Sequence, residues 1–355
     1  MKILITGICG FIGSRLATAL IERLPDVEIT GIDNLSRPGS ESNRSALGAK
    51  GIQFVHGDLR MRSDVEALPK CEWVIDAAAN PSVLAGVDGR SSSRQLTEHN
   101  LGATLNLLEY CRDREAGFIL LSTNRVYSVT DLAGLPLQQE GRRFVLDDAQ
   151  PLSTGAGQGG ITERFPVRQP ISLYGATKLS SEVMAIEFGL TFGFPVWINR
   201  CGVLAGAGQF GTAEQGIFSY WLHAHAARLR LRYIGFGGRG LQVRDALHPD
   251  DLADLIEAQM RRDPVTDPIY NVGGGSANTM SLAELTAWCD ERFGVHTPDP
   301  EDRSRPFDVP WIVMDSGRAF RDFGWAPKRS IESILQEIAA QVRQDPDWLA
   351  RSAVI

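Results

Sequence analysis

Lys2-Ile3-Leu4-Ile5-Thr6-Gly7-Ile8-Cys9-Gly10-Phe11-Ile12-Gly13 opens the segment that decides the fold, and Val27-Glu28-Ile29-Thr30-Gly31-Ile32-Asp33 closes it. The apolar run before Gly7 reads as a strand. Phe11, Leu16, Leu20 and Leu24 recur at helical spacing, and the second apolar run ends on an acid. Strand, glycine turn, helix and strand together make a βαβ unit. Gly7 and Gly10 let the backbone turn sharply and approach a pyrophosphate. Gly13 lets the helix pack closely on the strand, and the helix N-terminus presents amide donors to the anion. Phe11, Ile12 and Asn34 belong to the same expected cofactor site. Asp33 lies 20 residues beyond Gly13, where a carboxylate accepts hydrogen bonds from an adenosine ribose and repels a 2′-phosphate. The motif therefore implies NAD rather than NADP. A glycine triplet alone also fits a tight turn on a sheet, and the flanking elements separate the two readings.

With 355 residues, 43% of them hydrophobic, the chain exceeds the size at which one core stops growing, and two lobes are expected. A dinucleotide-binding unit is expected over 1–198 plus about 241–272, and a substrate-binding lobe over 199–240 plus 273–355. A formal net charge of -7 disfavours nucleic acid or an anionic membrane as partner, since either calls for a basic surface. The cysteines, Cys9, Cys71, Cys111, Cys201 and Cys289, are scattered without paired metal-ligand spacing. A reduced thiol set and no metal site are expected. No apolar run approaches the ~20 residues that span a bilayer, and the chain opens directly on a strand. A soluble, cytoplasmic protein is expected.

Beyond Asp33 the alternation continues through Gln53–His56, a helical 64–68, Trp73–Ile75, a helix over about 92–114, the strand Phe118–Ser122, a helix over about 172–192, and Val196–Ile198. This is the pattern of the α/β class: a doubly wound parallel Rossmann sheet, here with a smaller mixed α/β lobe, and ligands beyond the carboxyl ends of the strands. Between Tyr127 and Tyr174 lies an irregular stretch with several prolines and Gly155-Ala156-Gly157-Gln158-Gly159-Gly160. It reads equally as a substrate lid or a mobile surface excursion. Tyr174 and Lys178 stand four apart on an expected helix and so share a face. A phenol, with a reference pKa of about 10, becomes a useful base only where a nearby cation favours the phenolate. Lys178 and a positive nicotinamide would supply that field.

Gly7/Gly10/Gly13, Asp33, Asp58, Asn100, Ser122-Thr123 and Tyr174 with Lys178 occur in the order that resembles the extended short-chain dehydrogenase/reductase family, the sugar-nucleotide epimerases and dehydratases. The resemblance runs through nearly the whole chain. It implies NAD as cofactor, with Asp58 and Leu59 at the adenine, Ala77 and Ala78 along the cofactor, Asn100 supporting the active-site geometry, and Ser122 and Arg200 nearby. It also implies that Thr123 helps Tyr174 handle a sugar hydroxyl proton, and that Lys178 holds the nicotinamide ribose. Read locally, Asp58 is a turn acid, Asn100 a helix residue and Ser122-Thr123 a strand-end cap.

The segment Gln242-Val243-Arg244-Asp245 through Leu252 resembles the part of these enzymes where Arg244 meets the substrate diphosphate. Arg305-Pro306-Phe307-Asp308 resembles the element near the nucleotide ribose and phosphates. Gln209 and Gln215 resemble a substrate loop, and Trp325 in Gly324-Trp325-Ala326-Pro327 reads as packing. Arginine suits phosphate because its planar fork donates paired hydrogen bonds, although either arginine also fits a structural ion pair. Sugar-nucleotide dehydratases usually carry Asp-Glu after the threonine; this chain has Asn124-Arg125, which resembles the 2-epimerases of CDP-linked sugars. Asn124 reads as a sugar contact or a strand cap, and Arg125 as a sugar contact. The expected chemistry is epimerisation of a nucleotide-diphosphate sugar, CDP-linked by the resemblance, through a transient keto-sugar. A 4-epimerase or reductase for UDP- or another nucleotide sugar, and a non-enzymatic dinucleotide-binding protein, remain alternatives. Helices 92–114 and 172–192 imply, by resemblance, a homodimer or homotetramer.

Overall fold

A computed structural model describes residues 1–87, 89, 92–212 and 215–352. Strand and helix alternate through β1 (Lys2–Thr6), α1 (Phe11–Arg23), β2 (Glu28–Asp33), α2 (Glu41–Ala49), β3 (Gln53–His56), α3 (Arg62–Glu66), β4 (Trp73–Asp76), α4 (Ser93–Thr97), α5 (Ala103–Arg114) and β5 (Gly117–Thr123). Then come α6 (Val129–Ala133), β6 (Leu137–Glu140), β7 (Arg143–Leu146), β8 (Ala156–Gly157), β9 (Gly160–Ile161), α7 (Ser172–Phe192) and β10 (Val196–Cys201). The remainder comprises β11 (Val203–Leu204), α8 (Ile217–Ala226), β12 (Arg232–Ile234), β13 (Val243–Leu247), α9 (Pro249–Met260), β14 (Ile269–Val272), β15 (Thr279–Ser281), α10 (Leu282–Phe293), β16 (Asp299–Glu301), β17 (Trp311–Ile312), α11 (Gly317–Phe323), α12 (Ile331–Gln344) and α13 (Trp348–Ser352). The expected helix over 92–114 is α4 and α5 joined by a π-helical turn, Glu98–Gly102.

Seven parallel strands form the main sheet in the order β14-β10-β5-β4-β1-β2-β3. This is the doubly wound Rossmann arrangement read from the sequence. Its strands are apolar on both faces because both faces are covered. Successive side chains point to opposite sides of a strand, and the core divides accordingly. Ile3, Ile5, Ile75, Ile119, Leu121 and Trp197 join one cluster, with Leu16 and Leu20 of α1 and Leu252 and Ile256 of α9. Leu4, Val74, Phe118, Leu120, Val196 and Ile198 join the other, with Leu107 and Leu108 of α5 and Ala185 of α7. Each fully buried aliphatic side chain contributes about 1.5–3 kcal/mol against exposure, so both covering layers are strongly held. The strand order reverses between β1 and β4, which opens a crevice at their carboxyl ends.

A second sheet is formed by β11, β13 and β15, with β17 also paired to β13. Its neighbouring core joins Trp221 and Leu222 of α8, Leu285 and Trp288 of α10, and Ile334, Leu335 and Ile338 of α12. Within the stretch 241–272 expected to belong with the dinucleotide unit, α9 and β14 do pack with the first sheet. β13 differs: it hydrogen-bonds in the second sheet, antiparallel to β15. An apolar strand does not announce its partner, since pairing depends on elements far along the chain.

Residues 128–171 are not a loose excursion. Leu132, Leu135, Leu146, Ile161 and Phe165 are buried with Tyr127 and with Val309, Trp311 and Met314. Ile161 donates its amide to the Val313 carbonyl at 2.8 Å and accepts from the Asp315 amide at 2.9 Å. The segment thus adds short β-ladders and a shared core to the second lobe. Its apolar residues follow neither a two- nor a 3.6-residue period, which hid this packing in the sequence. All five cysteines are buried and free of disulfides, and among the described residues no helix is long and apolar enough to cross a membrane.

Candidate active site

The crevice holds a cavity of about 610 Å³ lined by Gly7, Gly10, Phe11, Ile12 and Gly13, by Asp33 and Asn34, by Asp58 and Leu59, and by Ala77 and Ala78. Eleven residues expected around a dinucleotide thus share one wall system. Close packing explains the glycines. Gly7 sits at φ +60°, and a Cβ on Gly13 would lie 2.2 Å from the Gly7 carbonyl oxygen. Gly10 at the N-cap of α1 has no side chain to offer the first amides of the helix, which leaves that end suited to an anion. Asp33 accepts from the Cys9 amide at 2.9 Å and the Leu35 amide at 2.8 Å, clipping the glycine turn to the end of β2. Asp58 is gripped by Arg60 and receives Asn34 Nδ2 at 3.3 Å. These contacts, with Arg60 foremost, hold its carboxyl well below the usual carboxylate range. The size, the uncapped helix end and the ribose-side acid fit NAD. Asn34, Leu59, Ala77 and Ala78 would flank it.

Gln209 and Gln215 line this same cavity, away from the Arg244 cluster described below. Arg37 and Phe210 join them. The Arg37 guanidinium donates to the Phe210 carbonyl and to Gln215 Oε1, fastening the 209–216 loop to the segment after β2. Nothing local to Arg37 signals a partner 173 residues away.

Tyr174, Thr123 and Lys178 meet beside the crevice on α7 and the end of β5. Ser172, at φ +71°, accepts the Gly175 amide at 3.1 Å at the start of α7. Gly175 is required because a Cβ there would come within 2.3 Å of the Arg125 carbonyl oxygen. Burial pushes the Tyr174 phenol up to about 12, while a hydrogen bond with Thr123 and the charge of Arg125 oppose it. Arg125, which was expected only as a sugar contact, is a charge that favours the phenolate. Lys178 is 2% exposed; burial lowers its pKa, and Asp76 and Glu182 counter that shift. Asn100, in the π-turn, accepts the Asn80 amide at 2.8 Å and donates to Thr177 Oγ1 at 3.1 Å. It ties the cavity wall at Asn80 to the helix segment between Tyr174 and Lys178. A π-turn is a common device at functional sites because it re-aims one side chain.

Beneath these groups runs a buried polar network. Asp76 receives Thr6 Oγ1 at 2.8 Å and Thr104 Oγ1 at 3.2 Å. Burial raises its pKa, and Lys178 is the first influence opposing that. Glu182 receives Arg200 Nε at 3.1 Å and Nη2 at 2.7 Å, together with Ser122 Oγ. Arg200 also donates to Tyr127 Oη at 3.3 Å. Ser122 and Arg200, expected near the cofactor, are thus engaged by Glu182 inside the protein and are absent from the cavity lining. Sequence reasoning missed Glu182; its position four after Lys178 is the signal that was available.

A second group carries positive charge outward from Tyr174. Arg125 donates to the Phe307 carbonyl at 3.3 Å; burial lowers its pKa, while Asp308 and Tyr174 act against that. Arg244 pairs with Asp308 at 3.0 Å and donates to the Val243 and Val309 carbonyls, each at 2.8 Å. Burial brings Arg244 down to about 10. Asp308 thus pairs with Arg244 and its charge also acts on Arg125. Arg305 stands apart, in a smaller cavity of about 270 Å³ with Trp221 and Gln242. The turn Arg305–Asp308, closed by Asp308 N to Arg305 O at 3.3 Å, joins the two places. Asn124 is 6% exposed and starts a 3₁₀ turn that the Thr123 side chain caps. Trp325 donates its indole to the Asp251 carbonyl at 2.7 Å, the packing role expected of it.

Fold and site together define a Rossmann enzyme in which a dinucleotide cleft adjoins a Tyr-Lys pair, with Arg125 and the Arg244–Asp308 pair beyond it. Residues 3–273 match the model of the NAD dependent epimerase/dehydratase family, and the chain belongs to that family. Its cofactor is NAD, and it is an enzyme of the sugar-nucleotide epimerase and dehydratase group. It is 28% identical over 351 residues to CDP-paratose 2-epimerase from Salmonella typhi, covering 95% of this chain and 98% of that protein. Its fold is similar to UDP-glucuronic acid 4-epimerase from Bacillus cereus in complex with UDP-glucuronic acid and NAD (TM-score 0.77, 23% identity, 97% and 99% coverage). It is also similar to a dTDP-glucose 4,6-dehydratase from Streptomyces venezuelae with NAD bound (TM-score 0.78, 24% identity, 99% and 100% coverage).

Proposed function

We propose that the protein is a nucleotide-sugar 2-epimerase acting on a CDP-linked sugar of the paratose/tyvelose type. The observation that carries this reading is the group beside the reacting phenol. A dehydratase needs an acid-base pair to expel water. Thr123 is followed by Asn124 and Arg125, and the charge bearing on Tyr174 is a guanidinium. The likeness to CDP-paratose 2-epimerase over nearly both full lengths supports the same choice.

In this reading Gly7, Gly10 and Gly13 admit the pyrophosphate at α1, Asp33 takes the adenosine ribose, and Lys178 takes the nicotinamide ribose. NAD so held supplies a reversible two-electron acceptor for the sugar carbon. Thr123 orients the sugar hydroxyl, and the Tyr174 phenolate accepts its proton as the carbon becomes a ketone. Tyr174 returns that proton after the keto-sugar has presented its other face. Arg244, paired with Asp308, would meet the diphosphate. Arg125 would lie along the sugar, and the Arg305 cavity would take the nucleoside. The same phenol serves a 4-epimerase equally well, because the scaffold does not choose the carbon. Proton NMR of the purified protein with CDP-paratose, CDP-tyvelose and UDP- and GDP-hexoses, without added cofactor, decides. Inversion at C2 of the CDP sugars is expected; inversion at C4 of a UDP sugar, or conversion only with continuous NADH consumption, would overturn the assignment.

A homodimer through α7 belongs to the same reading. Leu173, Val183, Leu190 and Phe192 are 42–67% exposed along that helix, and apolar patches of this kind mark contact surfaces. Val183→Glu with Leu190→Glu is expected to reduce the sedimenting mass to that of one chain. A wild-type protein already sedimenting at 38.8 kDa would refute the dimer.

A further inference from the structure

Residues 205–210 cross the cofactor cleft as a strap. Leu204, at the end of β11, lines the cleft where the strap begins. A Cβ on Gly206 would lie 3.5 Å from the Phe11 ring and 3.2 Å from His248 Nε2, which sets Gly206 beside the first residue of α1, at the anion-binding end of that helix. Four residues on, Phe210 lies against the segment after β2. Its ring is 3.1 Å from where a Cβ on Gly39 would stand, and its carbonyl accepts from Arg37. Asp33, Arg37 and Phe210 all line the cleft. The strap thus runs from the pyrophosphate end of the dinucleotide site to the adenosine-ribose end.

Its own side chains do little to hold it there. Ala205-Gly206-Ala207-Gly208-Gln209-Phe210 carries one large apolar side chain, and Gly208, at φ +85°, occupies the left-handed region that glycine enters without strain. The anchors come from the last two helices. The Phe210 ring, 5% exposed, stacks on Trp348 of α13 with 5.3 Å between centroids and 19° between planes. The Trp348 indole and the Ser219 hydroxyl both donate to the Gln209 carbonyl, each at 3.0 Å. The Gly208 amide donates to Gln341 Oε1 of α12 at 2.8 Å. Leu349, next to Trp348, is buried in one cluster with Trp221, Leu335 and Ile338, so α13 is itself fixed to the second-lobe core.

We infer that Trp348 is a positioning residue for the cofactor: acting through Phe210 and Gln209, it holds the strap closed over the dinucleotide and sets the rate at which NAD leaves. Trp348 is absent from the cavity lining, so it acts on NAD only through the strap. A dinucleotide lying beneath the strap departs when the strap lifts, and lifting it separates the stacked rings and breaks the indole hydrogen bond. The inference goes beyond the substrate reading. It rests on NAD as the cofactor and on the glycine turn as its pyrophosphate site, and it holds for whichever sugar is turned over.

The test is a chase of isotope-labelled NAD, loaded onto purified wild type, Trp348→Ala, Trp348→Phe and Leu285→Ala, with excess unlabelled NAD, the retained label being followed over time. Leu285 of α10 is buried in the same second-lobe cluster and makes none of the strap contacts, so Leu285→Ala reports what lost stability alone does to retention. Thermal melting establishes that each variant is folded. Trp348→Ala is expected to release label about ten- to hundredfold faster than wild type, the range set by one stacked aromatic pair and one indole hydrogen bond. Trp348→Phe keeps a ring to stack and loses the donor, so its rate should fall between the two. Leu285→Ala should melt lower and release label as wild type does. Release at the wild-type rate from folded Trp348→Ala or Trp348→Phe, or equal acceleration by Leu285→Ala, overturns the inference. Neither result touches the C2 reading, which stands or falls on the sugar NMR, and inversion at another carbon would leave the release rates as they are.

Discussion

Tyr174→Phe is expected to keep NAD bound and to lose turnover by about 10³-fold, within the range for removing a positioned acid-base group. The ring is 7% exposed and the substitution removes only the hydroxyl, so the packing of α7 on β5 is preserved. The pH dependence follows from the same contacts. Burial holds the phenol at about 12 in the protein alone, above the reference value of about 10, so the protonated form prevails at neutrality. Turnover that needs the phenolate should therefore rise with pH. Thr123 and Arg125 act in the opposite sense to burial, favouring the phenolate. Arg125→Met removes a positive charge beside the phenol and should move the rising limb of the pH–rate profile to higher pH. Single-turnover and pH–rate measurements check both. Full turnover in Tyr174→Phe would remove the phenol from the mechanism, and an unmoved limb in Arg125→Met would remove Arg125 from its activation.

The largest effect on stability is expected from Glu182→Gln, a loss of about 3–5 kcal/mol. Glu182 and Arg200 have side chains only 1% and 5% exposed. Neutralising the acid leaves a guanidinium in the core without its counter-charge. Burial works against that guanidinium, and Glu182 is the first influence opposing burial, so the substitution removes the main support of the buried charge. Urea denaturation should show a lower midpoint, and Glu182→Gln combined with Arg200→Met should recover much of the loss, because the pair is then removed as a unit. The same series separates two roles of Arg200. A structural Arg200 lowers the midpoint when changed to Met and leaves NAD content of the folded protein intact. An Arg200 that touches cofactor lowers NAD content instead.

Much of the cofactor cleft could be read from the chain because its chemistry is local. Gly7, Gly10 and Gly13 act within one turn and one helix start, and Asp33 closes the next strand. Their positions relative to each other follow from the geometry of a single βαβ unit. Tyr174 and Lys178 were legible for the same reason, being one helical turn apart. The environment of that pair was not. Lys178 answers to Asp76 from β4, Tyr174 answers to Arg125 from the turn after β5, and Asn100 braces both from a π-turn. The packing of the stretch before Tyr174 could not be read because its apolar residues are buried by β17 and its neighbours, which lie far away in sequence.

Chain order and short-range sterics alone pointed to the parallel sheet, the glycine-lined cleft and the Tyr174–Lys178 pair, since each depends on residues a few positions apart. Which charges face each other was decided only when distant segments packed together. Arg200 found Glu182 inside the core, Arg244 found Asp308, and Arg37 reached the 209–216 loop. Those pairings reflect three-dimensional proximity and the high cost of leaving a buried polar group unmatched, and no spacing along the chain encodes them.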